Sequence, residues 1–132
     1  MTPRPDPAGR HQRLAIALTL VIALAIGFGT LAPDTGSAPR VPHLDKLLHF
    51  LAFLGLVLPL ATVLPRRSAV IGTVVLAVAY GGAIELIQPR FGRGAEWLDF
   101  WADLAGAAAG AALGRWLHPS LGGRPAADPR RA

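Results

Sequence analysis

Four apolar runs, each long enough to cross a lipid bilayer, constrain this chain more than any other feature. Residues 14–32 hold 19 positions without a charge, and residues 47–64 hold 18 interrupted only by His49. Residues 68–88 hold 21 with Glu85 near the end, and residues 98–117 hold 20 carrying Asp99, Asp103 and Arg115. A helix rising about 1.5 Å per residue spans the hydrocarbon core in roughly 20 residues, so each run suffices. The connectors are short, and Pro33, Pro65 and Pro89 fall where helices should stop. The expected fold is all-α, a polytopic transmembrane four-helix bundle with short loops. The expected layout is a cytoplasmic N-terminal tail over residues 1–13, one membrane domain over 14–118 and a disordered cytoplasmic tail over 119–132.

Composition agrees. Hydrophobic residues make up 52% and charged residues only 16%, against about 25% in soluble domains. With no cysteine, disulfides, thiolate nucleophiles and Cys-based zinc sites are excluded. Arginine supplies 12 of the 13 basic residues, and Ala, Gly and Pro abound, a bias that reads as GC-rich coding and a bacterial source. The basic residues are scattered at the ends of apolar runs, unlike a nucleic-acid-binding face. The first run is longer than the apolar core of a secretory signal, so a retained helix is expected. Nine basic residues (Arg4, Arg10, Arg13, Arg66, Arg67, Arg115, Arg124, Arg130, Arg131) fall on one side of a four-span topology. Four (Arg40, Lys46, Arg90, Arg93) fall on the other. The positive-inside rule then puts both termini in the cytoplasm, which for a bacterial chain means the cytoplasmic (inner) membrane.

That topology gathers the polar residues at the outer ends of three helices. Helical spacing then gives direction. Asp99, Asp103, Gly106, Gly110 and Gly114 recur at i, i+4, i+7, i+11 and i+15, one stripe. Its two overlapping G-x-x-x-G patterns favour close helix approach, so the stripe should face the bundle and carry both aspartates inward. Gly81, Glu85 and Gln88 share a face of the third run, as do Lys46, His49 and Phe53 on the second. Asp45, Arg90, Arg93 and Glu96 lie at the same outer level. A carboxylate inside a membrane is expensive and by default marks function. The structural alternative is a plug, in which Asp45, Lys46, Arg90 and Arg93 neutralise Glu85, Asp99 and Asp103.

The ordered set resembles a known family. "DKLLHFLAFLGL" at 45–56, followed by "ELIQPRFGRGAEWLDFWADLAGAAAG" at 85–110, is similar to the signature of the VanZ-like family of small bacterial membrane proteins. That pattern is Asp-Lys-x-x-His-Phe, then Glu-x-x-Gln, Gly-Arg and Asp-x-x-x-Asn running into G-x-x-x-G. It falls on Asp45, Lys46, His49, Phe50, Glu85, Gln88, Gly92, Arg93, Asp99, Gly106 and Gly110. Asp103 departs from it, standing where the family usually has Asn. The resemblance implies a cell-envelope role, the family being named for a protein associated with resistance to the lipoglycopeptide teicoplanin.

Three functions compete. The first is a binding or modulating module whose outward polar cluster (Asp45, Lys46, His49, Glu85, Gln88, Arg93, Asp99, Asp103) meets a lipid-linked cell-wall precursor or a lipoglycopeptide, with Lys46, Arg90 and Arg93 facing anionic groups. The second is an enzyme on a lipid-linked substrate, with His49 as acid or base and Glu85 and Asp99 beside it. The third, weaker, is an ion or proton pathway, because the acids stop in the outer layer. The expected partners are membrane lipids and such amphiphiles, with no nucleic acid. No cofactor is expected. A divalent metal on His49, Glu85, Asp99 and Asp103 is chemically possible, but no short ligand motif supports it.

Overall fold

Each apolar run becomes one helix in the computed structural model, which describes residues 7–32, 43–92, 94 and 96–118. The helices are α1 (Pro7–Leu31), α2 (Leu44–Val63), α3 (Arg67–Ile87) and α4 (Trp97–Leu117), with a 3₁₀ turn, Gln88–Phe91, closing α3. There is no strand among the described residues. The helix α1 begins well before its apolar run, so residues 7–13, expected as tail, are helical. Proline opens that helix at a position where its missing N–H costs nothing. The segment 119–132, expected as a tail, residues 33–42 and Arg93, expected at the site, lie outside the described residues.

Three helical stretches are long and apolar enough to cross a membrane: Gly9–Leu31, Leu44–Val63 and Arg67–Phe91. The fourth helix matches them in length, at 21 residues, but carries Asp99, Asp103 and Arg115. Its polar groups are tolerable because α4 lies against α2. Glycine makes this possible. A Cβ added at Gly106 would overlap the carbonyl oxygen of Phe50, one at Gly110 that of Leu54, and one at Gly114 the Cβ of Ala61. The numbering rises together on both helices, so α2 and α4 run parallel with their N-termini side by side.

That arrangement places two helix N-termini, each with partial positive charge, at one end of the bundle. Asp45 and Asp99 stand in the first turns of α2 and α4, where that charge favours a carboxylate. The core below is apolar: Phe53, Leu56, Val57, Ala61, Val70, Ala77, Ile84 and Ala107 pack together. The helix α1 is fastened by Tyr80, whose hydroxyl donates to Ala23 O at 2.6 Å. Arg115 Nη1 donates to Leu64 O at 3.0 Å, tying the far end of α4 to the last turn of α2. Outward, large apolar side chains such as Leu24, Phe28, Ile71, Leu76, Leu86, Trp97 and Trp116 are exposed. An apolar exterior over a partly polar interior is the arrangement a lipid environment requires.

Candidate functional site

The polar layer is built by the first two turns of α2 and α4 and the last turn of α3. Three of its members are almost fully enclosed, Asp103 at 2% exposure, Glu85 at 5% and Asp99 at 7%. His49 Nδ1 lies 2.9 Å from Asp103 Oδ1. When Asp103 is ionised it can only accept, so Nδ1–H donates to it and Nε2 carries no hydrogen bond. Asp103 cannot easily swing away. Its Oδ2 sits where a Cβ on Gly81 would come within 2.6 Å, and the Phe53 ring closes the same space. Asp99 Oδ2 is 3.8 Å from His49 Nε2, too far for a hydrogen bond.

Lys46 organises the outer part. Its ammonium pairs with Asp45 Oδ2 at 2.7 Å, with Glu96 Oε2, and with Asp99 Oδ1 at 2.9 Å. The Asp99 contact is ionic, since Oδ1 is off the hydrogen-bonding direction and has no hydrogen-bond partner. Glu85 Oε2 accepts the Glu96 backbone N–H at 2.9 Å, which pins the loop entering α4 to the end of α3. Its other oxygen, Oε1, is buried without a hydrogen-bond partner.

The structure therefore brings together six of the residues singled out from the sequence: Asp45, Lys46, His49, Glu85, Asp99 and Asp103. Glu96 joins them as a bridge between Lys46 and Glu85. It lies in the segment before α4, where helical periodicity gives no direction, so spacing alone could not assign it. Gln88 stands apart. It is buried, but its Nε2 donates to Thr30 O on α1 at 3.2 Å. Three residues along a helix turn a side chain about 60° from Glu85, enough to face α1 instead of α4. Arg90 is exposed on the 3₁₀ turn. Lys46, expected to meet an anionic ligand, is already held by three carboxylates. The layer is acid-rich, with Asp45, Glu85, Glu96, Asp99 and Asp103 around one ammonium and one imidazole.

An apolar groove of about 600 Å³ opens between α3 and α4, with Val75, Val78, Gly82, Leu86, Trp97 and Phe100 on its walls and Glu85 on its lining. A second, of about 540 Å³, lies between α1 and α3 around Gly27, Phe28 and Tyr80, with no carboxylate in its wall. The VanZ/LLP1 family profile matches residues 8–118. The chain belongs to the VanZ/LLP1 family. That match takes in all four helices of the VanZ/LLP1 domain and every described member of the polar layer. No curated protein and no solved structure matches the chain.

Proposed function

We propose that this VanZ/LLP1 protein binds an amphiphile of the bacterial cell envelope, with the tail in the α3–α4 groove and the polar end at the acidic layer. The observation that carries the reading is the groove's course. Its lining runs along α3 from Val75 to Leu86, about 16 Å at helical rise, and it includes Glu85, a member of the polar layer. An apolar slot ending at a few converging polar groups is the form of a site for a molecule with a greasy and a polar end. The protein sits in the cytoplasmic membrane with both termini inside, and the layer faces outward, as the distribution of basic residues supports. Its occupant is a lipid-linked cell-wall precursor or a lipoglycopeptide, and tolerance to teicoplanin-type antibiotics would be one consequence.

A second reading has its own observation. His49, held through Nδ1 by Asp103 with Nε2 free, is arranged as a general base or acid, which favours a reaction on a lipid-linked substrate. A transmembrane ion path has less support. Among the described residues, the acids of α2 and α3 are Asp45 and Glu85, both at the outer end, and α1 has none.

Native mass spectrometry of the protein extracted in mild detergent tests the binding reading. The wild type should retain one co-purified amphiphile per chain. Ala83→Trp, which fills the groove from an exposed lining position, should lose it while the protein stays folded. Equal retention by both, or none by either, would overturn the assignment.

A further inference from the structure

Two clusters of possible metal ligands share Asp99, and they differ in one respect. In the first, Asp45, Glu96 and Asp99 offer oxygens within 4.8 Å of one another. The Lys46 ammonium already lies against all three. In the second, His49, Glu85 and Asp99 also offer ligand atoms within 4.8 Å of one another. No cationic side chain among the described residues is paired with Glu85. Its Oε1 is buried and lacks a hydrogen-bond partner. An acid enclosed to this degree is costly unless something neutralises it. The first cluster contains its cation as part of the chain. The second does not.

The donor set points to the class of cation. It combines one imidazole nitrogen with two carboxylates, a mixture that suits zinc or manganese better than magnesium or calcium, which prefer oxygen alone. His49 is prepared for such a role. Metal-bound histidines nearly always donate their other ring N–H to a carboxylate, which fixes tautomer and ring angle. Asp103 supplies that carboxylate at 2.9 Å from Nδ1. It is itself locked by Gly81 and Phe53. The ligand Asp99 is steadied from its far side by Lys46 at Oδ1, which leaves Oδ2 toward the imidazole. Ligands about 2.1 Å from a metal sit about 3.0–3.4 Å apart in ordinary coordination angles. The 3.8 Å between His49 Nε2 and Asp99 Oδ2 therefore needs only a small closure.

We infer that His49, Glu85 and Asp99 form a binding site for one divalent transition-metal cation of the zinc class, with Asp103 orienting the imidazole. Three protein ligands leave coordination positions open. Because Glu85 also lines the apolar groove, those positions adjoin the place assigned to an amphiphile's polar end. A phosphate or carboxylate there would meet the cation, which answers how an acid-rich layer accepts an anionic headgroup although Lys46 is engaged. Binding of the ion itself needs only these side chains. It stands or falls separately from the amphiphile.

The test uses the full chain in mild detergent, stripped with a chelator and with no lipid added. Titration with Zn²⁺ by calorimetry should show one site per chain. Co²⁺ should give visible d–d absorption that Zn²⁺ abolishes. Glu85→Gln keeps an acceptor for the Glu96 N–H, and it should weaken Zn²⁺ at least as much as the loss of an outer-shell partner does, about 10–100-fold. His49→Ala should do the same. His43→Asn removes an exposed imidazole at a positive-φ position that asparagine tolerates, and it should change nothing. The wild-type Co²⁺ spectrum decides the matter even if a ligand variant fails to fold. Absence of a stoichiometric site, binding that survives Glu85→Gln and His49→Ala in folded protein, or binding lost in His43→Asn would each overturn the inference. The retention of amphiphile measured above is a separate readout, so failure of the ion site would leave that result in place.

Discussion

Adding one methyl group at Gly106 should damage both the fold and the polar layer. A Cβ there overlaps Phe50 O, a backbone atom, with the Phe50 carbonyl carbon at 2.9 Å as the next obstacle. A carbon needs about 3.3 Å from a carbonyl oxygen, so α4 must withdraw from α2 by about an ångström. Asp103 lies one turn earlier on α4, and its 2.9 Å contact with His49 would stretch past hydrogen-bond range. Overpacking costs about 1–3 kcal/mol and the lost hydrogen bond about 0.5–1.5 kcal/mol. Better helix propensity returns at most about 1 kcal/mol. The expected net loss for Gly106→Ala is therefore about 0.5–4.5 kcal/mol. Gly55→Ala is the matched control, since its added Cβ meets nothing within 4 Å. It should be neutral or stabilising by up to about 1 kcal/mol. Equilibrium unfolding of both variants in detergent gives the comparison. Equal stability would refute the close α2–α4 approach and the coupling of packing to the site.

Other expectations follow from single contacts. Asp103→Leu leaves His49 Nδ1 without its partner and should cost about 1–3 kcal/mol, whereas Asp103→Asn keeps an acceptor oxygen and should cost less; unfolding curves showing the reverse order would contradict the assigned pairing. Arg115→Met removes the bond to Leu64 O and should cost about 1 kcal/mol, read from the same curves. A cysteine at exposed Gly94 should react with an impermeant maleimide on intact cells while one at exposed Ser68 should not; the opposite pattern would turn the polar layer toward the cytoplasm.

The helices were legible because length and apolar content are local properties. So was the stripe from Asp99 to Gly114, since a fixed 100° per residue sets it, and the structure buries all five members. Direction was less legible where the helix ended. Gln88 shared the spacing of Gly81 and Glu85, yet spacing does not say which neighbour lies at the edge of a face, and α1 took it. Glu96 had no periodicity to read. That Lys46 meets an acid was one of the two readings the sequence offered, and its pair with Asp99 fits the plug alternative. That Asp45 and Glu96 share the same ammonium depends on how far the first turns of α2 and α4 stand apart. The helical start at Pro7 was hidden by polar residues that form helix well but do not look like membrane.

On the reading proposed above, an amphiphile lies in the α3–α4 groove with its polar end at Glu85. Photo-crosslinking in native membranes tests it most directly, using a lipid-linked probe with a diazirine in its tail and mapping the adducts by mass spectrometry. Adducts should concentrate between Val75 and Leu86 and at Trp97 and Phe100, and Ala83→Trp should remove them. Adducts spread evenly over the exposed faces of α1 and α3, unchanged by Ala83→Trp, would show bulk lipid contact and contradict the claim.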